Sequence, residues 1–224
     1  MFNIVYGSKS KPFPAHDNSI IDLVYIPKHK IIVTASWDCS IKTFRYVGNV
    51  IDNEEHFYDH ENQITALAVN NEENIVAFGD IEGNVICMGL EEKEQLFSLN
   101  MNSQKIERMH FIQNNVVIAA EKEMRIVDIS GSSIGSYMVD ANNGQISDIE
   151  LDNEHLFITT TNKQFILYDI LQQKKIGNYF NDFTFVGKDK LPDEKGLTCI
   201  TSGNDGLFIA VGSVSGTIYI LRGV

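Results

Sequence analysis

Five short apolar runs punctuate the chain: Ile31-Ile-Val-Thr-Ala35, Ile75-Val-Ala-Phe-Gly79, Val116-Val-Ile-Ala-Ala120, Leu156-Phe-Ile-Thr-Thr160 and Leu207-Phe-Ile-Ala-Val211. Each is rich in β-branched residues and too short for an ordinary helix, so each reads as a strand covered on both faces. A turn and an alternating stretch follow every run: Ile41-Lys-Thr-Phe-Arg-Tyr46, Val85-Ile-Cys-Met88, Met124-Arg-Ile-Val127, Phe165-Ile-Leu-Tyr168 and Thr217-Ile-Tyr-Ile-Leu221. These are third strands. Less distinct outer strands are expected near Glu55 to Tyr58, Gln95 to Leu99, Ile134 to Val139 and Ile176 to Phe180, where water reaches one edge.

The pattern recurs at a fixed interval. The opening segments begin at Ile20, Ile64, Ile106, Ile146 and Leu197, at intervals of 44, 42, 40 and 51 residues. A period of about 40–45 residues with four strands per unit is that of a propeller blade. The long last interval holds a polar insertion at 182–195, which reads as a surface loop. The expected division is one all-β domain over 1–224, with blades at 15–59, 60–102, 103–140, 141–181 and 196–224. The fifth unit lacks an outer strand, and Phe2-Asn-Ile-Val-Tyr6 is a strand-like segment without a unit of its own. Pairing of residues 2–6 beside Thr217 to Leu221 would close a five-bladed ring through its termini, and a monomer is expected. Six or seven blades are more usual for such a repeat, so the five units could also be a cut from a larger propeller made at a blade boundary.

Composition narrows the function. Of the 224 residues, 43% are hydrophobic, enough for a packed core, which argues against intrinsic disorder. Thirty acidic against 18 basic residues give a net charge of -12, which repels phosphate backbones and anionic lipid. Nucleic-acid and membrane partners are therefore not expected, and a protein or peptide partner of basic character fits better. Acidic side chains crowd the stretch from Asp52 to Glu94, where Lys93 is the single cation; such a sector is either a solvated edge or a steering field for a basic partner. The chain has no apolar run long enough to span a bilayer and no apolar leader in its first twenty residues, so a cytoplasmic location is expected. Cys39, Cys87 and Cys199 are far apart and read as small buried thiols. The six histidines show no metal-ligand spacing, and neither a metal nor a cofactor is expected.

Ala15-His16-Asp17 followed by Ala35-Ser36-Trp37-Asp38-Cys39-Ser40-Ile41-Lys42-Thr43-Phe44 resembles a WD40 repeat. The resemblance implies a buried hydrogen-bonded set of a His before the first strand, a Ser or Thr on the second, an Asp in the turn and a Trp on the third. The matching positions are His16, Thr34 or Ser36, Asp38, and Phe44 in place of Trp, so the chain of bonds must stop at the hydroxyl. The second unit keeps Asp59-His60 but carries Glu82 at the turn; the later units have Asn162 and Ser215 there, and the third a shortened turn at Glu121 and Lys122. The order Phe2-x-Ile4-Val5-x-Gly7, His16-Asp17, Ser36-Trp37-Asp38-x-x-Ile41-Lys42, Asp59-His60 is similar to the carboxy-terminal propellers of BEACH-domain proteins, the group linked to neutral sphingomyelinase activation. That resemblance implies an upstream BEACH domain, absent from these residues, and an adaptor role in receptor signalling or vesicle traffic.

A propeller of this kind implies a non-catalytic scaffold that binds a protein or peptide on its rim. Trp37, Ile81, Thr161 and Val214 occupy the matching position just before the turn residue and are the candidate contact residues. Trp37 either anchors a partner through its large apolar area or packs down on a neighbouring blade. The rival class is a five-bladed glycoside hydrolase, which needs carboxylates converging on the central funnel. Asp22, Glu107, Asp148 and Glu150 lie on or beside the inner strands, but none belongs to a catalytic motif.

Overall fold

The computed structural model describes residues 13–47, 50–70, 74–102, 104–152, 155–178, 196–203 and 208–222. All of its strands are antiparallel to their neighbours and lie in five sheets, each a consecutive meander. The first sheet is β1 (Ile20–Ile26), β2 (Ile31–Ser36), β3 (Ser40–Val47) and β4 (Val50–Asp59). The second is β5 (Ile64–Asn70), β6 (Ile75–Asp80), β7 (Asn84–Gly89) and β8 (Gln95–Asn100). The third is β9 (Ile106–Ile112), β10 (Asn115–Ala120), β11 (Glu123–Asp128) and β12 (Ser133–Met138). The fourth is β13 (Ile146–Asp152), β14 (His155–Thr160), β15 (Phe165–Asp169) and β16 (Lys174–Asn178). The fifth has three strands, β17 (Leu197–Gly203), β18 (Phe208–Ser213) and β19 (Ile218–Arg222). These sheets are the blades of a β-propeller. The expected closing strand at residues 2–6 and the loop at 182–195 lie outside the described residues.

The second strand of each blade is sandwiched, which is why its sequence is apolar without alternation. All six residues of β6 are buried, as are five of six in β10 and β14. The sheets stack through four apolar junctions. Val33, Ala35 and Ile41 of the first blade meet Leu67, Val76 and Phe78 of the second. Ala77 and Cys87 meet Met109 and Ile118, Val117 and Ile126 meet Ile149 and Ile158, and Phe157 and Phe165 meet Ile209 and Tyr219. At the second junction the backbones come so close that a Cβ on Gly79 would lie 2.7 Å from the Ile106 side chain.

Two features repeat with the blades. Each inner strand has a register shift near its start, between Ile20 and Asp22, Ile64 and Ala66, Ile106 and Arg108, Ile146 and Asp148, and Leu197 and Cys199. Such a bulge turns one side chain out of the pleat; in β5 it is Thr65, whose hydroxyl donates to the Ile106 carbonyl of the next blade at 2.7 Å. In four of the blades the hairpin between second and third strands has a left-handed residue at its fourth position. Gly83 (φ 82°) and Gly216 (φ 79°) supply it without strain, whereas Cys39 (φ 69°) and Lys163 (φ 65°) adopt it despite a Cβ.

The first outer strand, β4, runs over ten residues where four were expected, because it pairs with the whole length of β3. The expectation of three buried thiols holds for Cys87 alone: Cys39 is half-buried, in the hairpin turn between β2 and β3, and Cys199, on the innermost strand of the fifth blade, is exposed. Burial pushes the Cys87 thiol up to about 12.

The inner strands of all five blades line one cavity of about 520 Å³. Neighbouring inner strands pack in the order β1, β5, β9, β13, β17, but no comparable packing joins β17 back to β1 among the described residues. Among the described residues, no sheet packs on the outward faces of the first and last blades.

Candidate interaction rim and the clasps beneath it

The register places the loop before each inner strand beside the hairpin that joins the second and third strands, since Ile20 pairs with Ser36, Ile64 with Asp80, Ile146 with Thr160 and Leu197 with Ser213. Trp37, Ile81, Thr161 and Val214 therefore share one end of the propeller, each at the tip of its hairpin. Trp37 is 44%, Ile81 43% and Val214 61% exposed, and Thr161 is exposed as well. The tips are held by main chain: the amides of Trp37, Ile81, Thr161 and Val214 donate to the carbonyls of Ser19 (3.0 Å), Gln63 (3.1 Å), Gln145 (2.8 Å) and Gly196 (3.0 Å). In the shortened third hairpin the Gln104 side-chain oxygen accepts instead, from the Lys122 amide at 3.3 Å.

Below the first tip lies the set expected from the sequence. His16 Nδ1 is 2.8 Å from Asp38 Oδ2, and Nε2 is 2.7 Å from Thr34 Oγ1. The chain of bonds goes one step past the hydroxyl, since Thr34 donates to the Lys42 carbonyl at 3.3 Å. Ser36 works on the turn, accepting from the Asp38 amide at 3.0 Å and donating to the Asn18 carbonyl. Asp38 also accepts from the Ser40 hydroxyl (2.7 Å) and amide (3.0 Å) and from the Asp17 amide (2.9 Å). Phe44 is buried and takes the Phe13 ring edge-on, with centroids 5.6 Å apart.

The second clasp differs from the expectation. Glu82 is exposed and contributes only its amide, because the carboxylate comes from Asp80, two residues earlier at the end of β6. Asp80 Oδ1 accepts from the amides of Glu82 (2.9 Å) and Asn84 (2.8 Å). Oδ2 receives the Asn62 and Asn84 side-chain amides at 3.0 and 2.8 Å and lies 2.8 Å from His60 Nε2. The side chain is fully buried, and His60 is itself wedged against the Phe78 ring at 5.7 Å. Neutral groups take over further along: Thr160 Oγ1 accepts from the Gln164 amide and Ser213 Oγ from the Thr217 amide.

Burial alone would raise both aspartates. In Asp38 the bonds from Ser40, the Asp17 amide and His16 outweigh it, and in Asp80 those from Asn84, Asn62 and His60 do, so both carboxyls are held below their usual range. A depressed folded-state value contributes stability above the unfolded value of about 3.9 and loses it as pH falls through the folded one. Denaturant titrations are therefore expected to show stability declining below about pH 4. The decline should be shallower in Asp80→Asn; an equal slope in the variant would show that the clasp does not titrate with folding.

The carboxylates around the cavity act as braces. Asp148 Oδ1 accepts from Arg108 Nε of the third blade at 2.8 Å, and Oδ2 from the Ile200 amide of the fifth at 3.0 Å. Glu150 accepts from the Ser202 amide and hydroxyl at 2.8 and 3.0 Å, Glu107 pairs with Lys105 at 2.8 Å, and Asp22 caps the Leu23 amide. Among the described residues, no group of three or more His, Cys, Asp or Glu is placed to hold a metal ion. The acidic sector is partly compensated, by Lys42 on Glu54 at 3.0 Å and by Lys93 on Glu55 at 2.5 Å. Asp17, Glu61 and Glu82 remain exposed near the first two tips.

Residues 7–45 match the family model described as WD domain, G-beta repeat. No curated protein matches the chain. Among solved structures, the computationally designed Ika8 protein superposes with a TM-score of 0.73 at 18% identity over 93% of this chain, which spans 59% of Ika8. The computationally designed Ika4 protein gives 0.60 at 18% identity, over 73% of this chain and 92% of Ika4. The likeness to the solved structures is one of fold, a β-propeller, and the WD-repeat match lies in its first blade.

Proposed function

We propose that this chain is a protein-interaction scaffold whose rim, at Trp37, Ile81, Thr161 and Val214, seats a protein or peptide partner and performs no chemistry. The supporting observation is that these uncharged side chains stand exposed at one end of the propeller, on tips fastened by main-chain bonds. A rigid aromatic anchor surrounded by smaller contacts concentrates binding energy in few residues. The exposed carboxylates Asp17, Glu61 and Glu82 beside the first two tips favour a partner of basic character. The motif order shared with BEACH-domain proteins extends the reading to a cytoplasmic adaptor in receptor signalling or vesicle traffic, working beside an upstream BEACH domain.

Affinity capture from cell lysate tests the rim. The wild-type chain is expected to retain a partner that Trp37→Ala loses, with affinity for the recovered partner falling about 30-fold or more, as for a hot-spot residue. Equal capture by both proteins would discard the rim as the contact surface.

A further inference from the structure

The tips of the first two blades share one constellation. In the first, Asp17 follows the clasp histidine His16 and stands two residues before Ser19, whose carbonyl ties the tip; its amide reaches Asp38, the neighbour of Trp37, at 2.9 Å. In the second, Glu61 follows His60 and stands two residues before the tying carbonyl of Gln63, and His60 reaches Asp80, the neighbour of Ile81, at 2.8 Å. An apolar tip with a carboxylate beside it is thus repeated from one blade to the next. In the fourth blade the same offset falls on the uncharged Asn143, and in the fifth it lies outside the described residues. Asp17, Glu61 and Glu82 are exposed, and among the described residues none of their carboxylates takes part in a hydrogen bond or ion pair. Residues 13–19, 37–40, 60–63 and 81–84, which build these two tips and the loops beside them, include no lysine or arginine.

We propose that this pair of tips reads two basic side chains of one extended partner segment, spaced three residues apart. The inference rests on the rim reading above and gives it a register. At the first tip the partner's cationic head lies over the Trp37 ring and pairs with Asp17. At the second, the methylene stem of the other basic residue runs along Ile81 while its head meets Glu61 and Glu82. The spacing follows from the fold. Stacked sheets lie roughly 10 Å apart, so neighbouring tips are separated by about that distance. In a polyproline II segment every third residue faces the same way, and three residues advance about 9 Å. A β-strand matches less well, because its residues three apart face opposite sides and those two apart are separated by only about 7 Å. Charge complementarity sets the chemistry, since acidic side chains at the same two positions would meet like charge at both tips.

Trp37 is the single tryptophan of the chain, so its fluorescence reports the first tip directly. The probes are three proline-rich peptides of equal length: one with two arginines three apart, one with the two arginines adjacent, and one with two glutamates three apart. Titrating the full chain with the first peptide is expected to change the Trp37 emission. The adjacent-arginine peptide should bind about tenfold more weakly, because it reaches only one tip, and the glutamate peptide should not bind. Glu61→Gln should weaken the spaced peptide about three- to fivefold and leave the adjacent one unchanged, whereas Asp17→Asn should weaken both. Both positions are exposed, and the amide bond from residue 17 to Asp38 survives the change. Equal affinity for the two arginine spacings would overturn the register, and preference for the glutamate peptide would overturn the charge assignment. If neither arginine peptide binds while Trp37→Ala still loses its partner from lysate, this inference falls and the rim reading stands. Calorimetric binding of the spaced peptide that survives Trp37→Ala would overturn both.

Discussion

Asp80→Ala is expected to lower the unfolding free energy by about 3–5 kcal/mol, because it removes a fully buried acceptor and leaves the part-buried donors of His60, Asn62, Asn84 and Glu82 without it. Chemical denaturation measures it directly. Asp38→Ala removes a similar number of bonds, yet Asp38 keeps 12% of its side-chain surface while Asp80 keeps none. Water can replace part of what Asp38 supplies, so its loss should cost less, about 1–3 kcal/mol. If Asp80→Ala costs under about 1 kcal/mol, the blade is not held by this carboxylate.

Phe165→Ala should be of similar size, about 3–5 kcal/mol, for a different reason. Phe165 is fully buried where the fourth and fifth blades meet, stacked on Phe157 with centroids 5.7 Å apart and planes 11° from parallel. Removing it opens a cavity that neighbouring strands cannot collapse into without breaking their ladders. Because each repeat touches mainly its neighbours, the loss should fall unevenly. Hydrogen exchange is expected to accelerate most in β17, β18 and β19 and least in the first two blades. Uniform acceleration over all five sheets would mean that the blades unfold as one unit.

Much of this architecture was legible in the spacing of apolar runs, since a sandwiched strand has no polar face and stands out wherever it occurs. Outer strands were harder to place. β12 and β16 carry mostly exposed or half-exposed side chains, so little in their sequence separates them from a loop. The first clasp was legible because His16, Thr34, Ser36 and Asp38 keep the family spacing. The second departs from the expectation at Glu82 because its carboxylate stands at the end of β6 and not in the turn. The signal was present in Asp80 and Asn84, an acceptor and a donor four residues apart across a hairpin whose third residue from Asp80 is Gly83. The braces at Asp148 and Glu150 could not have been found from sequence, because their partners Arg108, Ile200 and Ser202 come from other blades about 40 and 50 positions away.

Because the hairpin tips are tied down through peptide groups, what projects from the tips at Trp37, Ile81 and Val214 is independent of what keeps them in place, whereas the Thr161 hydroxyl itself accepts from the Gln145 amide at 3.0 Å. Replacing Trp37, Ile81 or Val214 leaves every one of those ties intact. The scaffold can therefore be rewritten at a handful of addresses to acquire a new specificity while its framework stays the same, which is a property expected of a surface that natural selection, or an engineer, can retarget one side chain at a time.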